Sequence, residues 1–162
     1  MLRTRSLRLL VACLALALAP VSNVGADDHE EGQAQIEYRQ KVMSAIGTNM
    51  GAIGDILKNR LDVPGGVANH AGQMADAAAL IAPAFKKQLS AGATDAKPEI
   101  WADWAKFEEA IAGFEEAARN LASAANGSDP SAVGPAMRGL GKSCGGCHKP
   151  FRKPKEESYK NK

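Results

Sequence analysis

Apolar side chains return every three or four residues in four segments of this chain, and no stretch shows the two-residue alternation of a strand. In the first segment, about Gln33 to Leu57, residues Ile36, Met43, Met50 and Leu57 are spaced by seven, with Ile46 and Ile53 interleaved. Pro64-Gly65-Gly66 closes the turn that follows. A second helix is predicted over about Val67 to Ile81, on a seam of Val67, Ala71, Met74, Ala78 and Ile81, ended by Pro83. Residues 88–97 read as a loop along the bundle. Pro98 then opens a third helix, in which Ile100, Trp104, Phe107, Ile111, Phe114, Ala118, Leu121 and Ala125 alternate by fours and threes. Asn126-Gly127 ends it and Ser128-Asp129-Pro130 starts a fourth. There Val133, Met137, Leu140, Cys144, Cys147 and Phe151 continue the alternation. Pro150 removes the amide that would bond Gly146, so the last helix is expected to loosen or bend there. The fold class is all-α, with short connections.

The N-terminus changes the picture of charge. Arg3, Arg5 and Arg8, the apolar run Leu9 to Ala19 and the small residues Val24-Gly25-Ala26 predict a cleaved secretory signal over residues 1–26. The run is short for a membrane span, so no membrane attachment is expected after cleavage. Removing the three arginines takes the formal charge from +2 to −1, which removes any argument for nucleic acid. Cys13 leaves with the same segment. Residues 27–152 are expected to form the bundle, and the charged residues 153–162 a mobile tail, solvated or offering a basic docking site to an acidic partner.

Both remaining cysteines lie in Cys144-Gly145-Gly146-Cys147-His148, the attachment signature of a c-type haem. Thiols at i and i+3 share one face of a helical turn and add to the two vinyl groups of one porphyrin. The adjacent histidine supplies an axial nitrogen to the iron. A redox Cys-x-x-Cys would call for a βαβ setting, and zinc for a second pair of ligands. The cysteines also occupy the hydrophobic seam, which puts the haem inside the bundle, against the last helix. Export agrees, since c-type haem is attached outside the bacterial cytoplasm.

Around this motif several side chains carry two readings. Arg39 breaks the first stripe, and either snorkels from the bundle end or pairs with a haem propionate. Trp101, beside the third stripe, is in place to cover a haem edge or simply to fill core. His70 lies off its seam and reads as a surface or interface residue. Arg152 follows His148 by four, hence on the same face. Gly51-Ala52-Ile53-Gly54 and Gly139-Leu140-Gly141 follow no strand and read as helix packing contacts, not phosphate loops.

With the haem motif near its C-terminus continued as His-Lys-Pro-Phe-Arg, with Tyr38-Arg39-Gln40 followed by Met43, and with Lys97-Pro98-Glu99-Ile100-Trp101, the chain resembles the class II c-type cytochromes, cytochrome c′ and its low-spin relatives. The resemblance covers essentially all of the mature chain. It implies an antiparallel, up-down-up-down four-helix bundle. It makes Cys144 and Cys147 the thioether attachments and His148 the proximal ligand, Arg39 a propionate contact and Arg152 a charge in the proximal pocket. Met43 falls at the distal position, where the family uses either an apolar lid or a methionine ligand. The resemblance also leaves open a homodimer through the first two helices.

Two functions follow. One is single-electron transfer by a periplasmic monohaem cytochrome meeting redox proteins transiently, with Met43 sulfur as sixth ligand. The other is binding of nitric oxide or carbon monoxide at a five-coordinate iron, with Met43 as lid. Neither is an enzyme, since no nucleophile, acid–base pair or further metal cluster competes with the motif.

Overall fold

A helix interrupted by several glycines is held by packing more than by propensity, and the first helix shows what that packing selects. In the computed structural model, which describes residues 24–161 with side chains from residue 30 onward, α1 spans Val24–Asn59. The expected signal lies outside the described residues except for 24–26, which already belong to α1. Ile36, Arg39, Val42, Ile46 and Ile53 are buried, and Met43 and Met50 half-buried. The strict seven-residue stripe does not persist to Leu57, which is 40% exposed. A straight helix rotates about 20° per heptad away from such a stripe, so its last member turns outward. Arg60 takes a left-handed conformation with φ 51° and the Leu61 amide closes back on the Ile56 carbonyl at 3.1 Å, ending the helix.

The second predicted helix is two helices, α2 (Gly66–Ala78) and α3 (Ile81–Phe85). Pro83 does not end it. The chain breaks earlier, at Ala79 and Leu80, and Pro83 sits in the first turn of α3, where a helix needs no amide donor. The third is also divided, into α4 (Glu99–Ala102) and α5 (Trp104–Asn126). Asp103 leaves helical geometry between them, and its carboxylate caps α5 by accepting from the Lys106 amide at 3.2 Å. The fourth, α6 (Val133–Phe151), runs through Pro150 and stops one residue later, so the proline costs only a last-turn bond.

The four long helices α1, α2, α5 and α6 form an antiparallel four-helix bundle, up-down-up-down. α1 packs on α2, α2 on α5 and α5 on α6. Among the described residues no comparable packing joins α6 back to α1. The core runs through Ile53, Met74, Ile100, Leu121 and Leu140, each essentially sealed from solvent. At one end Phe107 meets Phe85, Trp104 and Phe151 at centroid distances of 5.3, 5.5 and 5.2 Å. No described helix is long and apolar enough to cross a membrane.

The tail folds back against the loop before α4. Ala96 and Arg152 form a bridge, the Lys97 amide donates to the Phe151 carbonyl at 3.0 Å, and the Lys153 amide to the Asp95 carbonyl at 2.8 Å. Ser158 is buried, its hydroxyl 3.0 Å from Asp95 Oδ2, while the Tyr159 amide reaches Oδ1 at 3.0 Å. A charged sequence that would otherwise stay solvated finds a half-buried carboxylate to satisfy its donors.

Candidate functional site

The site is built on the C-terminal half of α6. Asp129 caps the short 3-10 turn Pro130–Ala132 that leads into that helix, accepting from the Ser131 amide at 2.9 Å and its hydroxyl at 2.6 Å. α6 contains glycines at 134, 139, 141, 145 and 146, each of which weakens a helix, so its stability comes from the face laid on α5. On that face Leu140 and Phe151 are buried, and Cys144 and Cys147 lie half-buried between them.

Both thiols are free. Burial pushes Cys147 up to about 11, with Cys144 adding to the shift, and burial raises Cys144 as well. Reactive redox thiols and metal-bound thiolates require the opposite shift. Among the described residues no three His, Cys, Asp or Glu side chains gather around a metal position. Two neutral thiols one turn apart, followed by an imidazole, match instead the donor set for thioether attachment and axial ligation.

His148 lies a step around the helix from the cysteines, with its imidazole edge open. Partial desolvation by the surrounding protein lowers its pKa first, and the positive charge of Arg152 lowers it further. The neutral imidazole, the form that binds metal, is thereby favoured. Gly141 and Gly145 precede His148 by seven and three residues, on the same flank of α6. A Cβ at either would meet nothing within 4 Å. The helix surface beside the imidazole is therefore bare, which suits a flat ring lying along it. This also corrects a sequence expectation. Gly51, Gly54, Gly139 and Gly141 touch no neighbour that a Cβ would crowd, so none is a close helix contact.

Met43 and Met50 on α1, like Met137, Cys144 and Cys147 on α6, are half-buried against the same core. Arg39 and Trp101 meet each other. Arg39 does not snorkel: it is 3% exposed and donates through Nε to the Ala84 carbonyl at 2.8 Å and through Nη1 to that of Leu89 at 2.8 Å. Its Nη2 donates to the Lys87 carbonyl. Burial pushes its pKa down to about 10, still cationic at neutral pH. The guanidinium lies 4.8 Å from the Phe85 ring centroid and 5.2 Å from that of Trp101, whose Nε1 donates to the Phe85 carbonyl at 2.7 Å. Among the described residues neither side chain is hydrogen-bonded to Cys144, Cys147 or His148. His70 pairs its Nδ1 with Asn49 Oδ1 at 2.7 Å, joining α2 to α1, an interface role.

Arg152 ends α6, its amide bonding the His148 carbonyl at 3.0 Å, and its Nη2 lies 3.4 Å from Asp95 Oδ2. Asp95 escaped the sequence reading, since a lone aspartate in a polar loop carries no periodic signal.

A four-helix bundle bearing Cys-x-x-Cys-His on its last helix defines a monohaem c-type cytochrome of class II. Comparison with known proteins agrees. The family described as Cytochrome C′ matches residues 34–152, and the chain belongs to it. Cytochrome c′ from Rhodospirillum rubrum is 36% identical over 140 residues, covering 86% of this chain and 95% of that one. The solved cytochrome c prime from Shewanella frigidimarina superposes with a TM-score of 0.70 at 32% identity, covering 77% of this chain and 98% of that one. A structure from Alcaligenes xylosoxidans, described as the nitric oxide complex of a cytochrome c prime mutant, gives 0.67 at 26% identity, covering 76% and 97%. Proteins of this family bind haem c covalently, and they are among those by which the up-down-up-down bundle is commonly illustrated.

Proposed function

We propose that this chain is a periplasmic carrier of single electrons, with one haem c held by Cys144 and Cys147. The observation that supports it most is the placement of two neutral, half-buried thiols and an open imidazole on one turn of α6, beside the edge where α6 and α1 do not pack. When bound, the haem iron supplies a one-electron couple. Cys144 and Cys147 would hold the haem by each adding its S–H across one vinyl double bond, so attachment would consume no oxidant. His148 contributes the proximal nitrogen. Met43, on the core face of α1, provides the distal side chain. In the carrier its sulfur would hold the iron, which would raise the potential and exclude exogenous ligands. The bundle core, sealed at Ile53, Met74, Leu121 and Leu140, limits reorganisation between oxidation states. Arg39 fits a bracing role more than a propionate contact, because its three nitrogens already donate to backbone carbonyls.

A second reading, nitric oxide or carbon monoxide binding with Met43 as lid, draws on two observations. The relative from Alcaligenes xylosoxidans is described with nitric oxide bound. One and two turns after Met43 on α1, Ile46 and Met50 carry no hydrogen-bond donor, and the donors one turn before it, Arg39 and Gln40, are committed to backbone carbonyls, which suits neutral diatomic ligands that need no donor. Absorption spectra decide between the two. The carrier shows a sulfur-to-iron charge-transfer band in the ferric protein that Met43→Ala abolishes. A high-spin ferric protein in which the same substitution only speeds carbon monoxide binding establishes gas handling instead.

A further inference from the structure

We propose that the foot of α6 carries a basic docking cleft for an acidic electron-transfer protein; this rests on the haem reading above. A cleft of about 730 Å³ opens between the last turn of α6, Lys97 and the returning tail. Six cationic side chains line it: Lys97, Lys149, Arg152, Lys153, Lys155 and Lys160. His148 lines it too, so the surface adjoins the proposed iron ligand.

Three features separate this cleft from an ordinary solvated tail. The first is that it is fixed. Asp95 accepts from Ser158, Tyr159 and Arg152, and Lys153 Nζ donates to the Thr94 carbonyl at 3.0 Å, so the lysines are presented by a folded strap. A preorganised surface loses less entropy on docking than a disordered one. The second is that its charge is weakly compensated. Asp95 answers Arg152 and Glu99 lies 3.5 Å from Lys97, while Glu156 and Glu157 of the same tail do not line the cleft. The third is contrast with the whole. After loss of the expected signal the chain has a formal charge of −1, so the positive potential here is local. Such patches steer association and set orientation more than they add affinity, which suits a transient redox encounter.

The partner is a protein whose acidic patch surrounds its own redox centre. Oxidised plant plastocyanin, an acidic copper protein, serves as probe. One electron leaves the ferrous haem for Cu(II), giving ferric haem and Cu(I), with no proton or group transferred. For the holoprotein, the second-order rate falls about tenfold as salt rises from about 10 to about 200 mM. Lys155→Glu with Lys160→Glu, both exposed, lowers the low-salt rate about fivefold and flattens the salt dependence. Lys58→Glu, in the last turn of α1 at the opposite end of the bundle, leaves the rate unchanged within about twofold. A rate that is flat or rises with salt in haem-loaded protein overturns the docking surface and leaves the haem reading intact; haem carboxylates neutralising these lysines would give that result. An equal loss in Lys58→Glu also overturns it. Failure to take up haem at all overturns the functional reading beneath, and is seen in the Soret band before any kinetics.

Discussion

Arg39 Nε donates to the carbonyl of Ala84 at 2.8 Å, joining residues 45 apart in sequence. With the bonds to Leu89 and Lys87, one planar guanidinium gathers the chain leaving α3 against α1. Arg39→Met keeps the stem but leaves the Lys87 and Leu89 carbonyls without that donor; Ala84 retains Gln35 Nε2 at 2.6 Å. Each of these part-buried acceptors left unpaired costs about 1 kcal/mol, and the lost ring contacts add to it. The expected destabilisation is about 3 kcal/mol by denaturant titration. Arg39→Lys recovers little, since a point charge cannot replace a fork that reaches three carbonyls. A variant of undiminished stability with a shifted haem potential would return Arg39 to the propionates.

Asp95 ties stability to pH. Burial pushes its carboxyl up, but the Tyr159 amide, the Ser158 hydroxyl and Arg152 together outweigh burial and hold it below the usual carboxylate range. A carboxylate with a depressed folded pKa contributes stability that is present above its unfolded value, about 4, and lost as pH falls through the folded one. The strap should therefore loosen on the acid side of about pH 4. Hydrogen exchange at Ser158 and Tyr159 reports this directly. Asp95→Asn should expose those amides already at neutral pH and flatten the acid limb. Unchanged protection in that variant would remove Asp95 from the role.

How much of this was legible in the sequence depends on whether a feature is periodic. The apolar seam of α5, from Phe107 through Leu121, is buried where the alternation of threes and fours puts it, and the same alternation carried the cysteines onto the inner face of α6. Features that depend on one polar group did not show. Asp103 divides α4 from α5 because its carboxylate caps a helix start, although the apolar spacing from Ile100 to Trp104 runs straight through it. Asp95, Thr94 and Ser158 are buried or half-buried by contacts across about sixty residues, and nothing local marks them. Arg39 was visible as a break in a stripe, but its acceptors are backbone carbonyls, which carry no residue-type signal at all.

The turn between α1 and α2 makes opposite demands at its two ends, Arg60 and Gly66. Arg60 occupies the left-handed region with φ 51°, a conformation that strains an L side chain and suits glycine. Arg60→Gly should stabilise the fold by up to about 1 kcal/mol, the relieved strain being partly offset by a more flexible unfolded chain. At Gly66 an added Cβ would lie 2.8 Å from Val63 Cγ1 and 2.9 Å from Ile56 Cδ1. Gly66→Ala should cost about 1–2 kcal/mol as those side chains are forced to move. Thermal melts of both variants test the pair, and a stabilised Gly66→Ala would show that the turn is looser than its contacts indicate.

The proposed attachment chemistry distinguishes each cysteine from the pair. A group that binds only the folded state stabilises it in proportion to its affinity, and a covalent tether keeps that group from leaving on unfolding. Cys144 and Cys147 lie one turn apart on α6, half-buried on the same core, so on the proposed attachment each would bond its own vinyl group independently. Cys144→Ala and Cys147→Ala should each retain the pigment through one thioether, with the reduced absorption band moved to longer wavelength by the remaining unsaturated vinyl. Neither should release haem into acidified organic solvent. The double variant, still offering His148, should bind haem reversibly and release all of it in that solvent, with a lower midpoint of unfolding than either single variant. Complete extraction from a single variant would mean that the other thiol never forms a bond, and the paired placement on α6 would need another explanation.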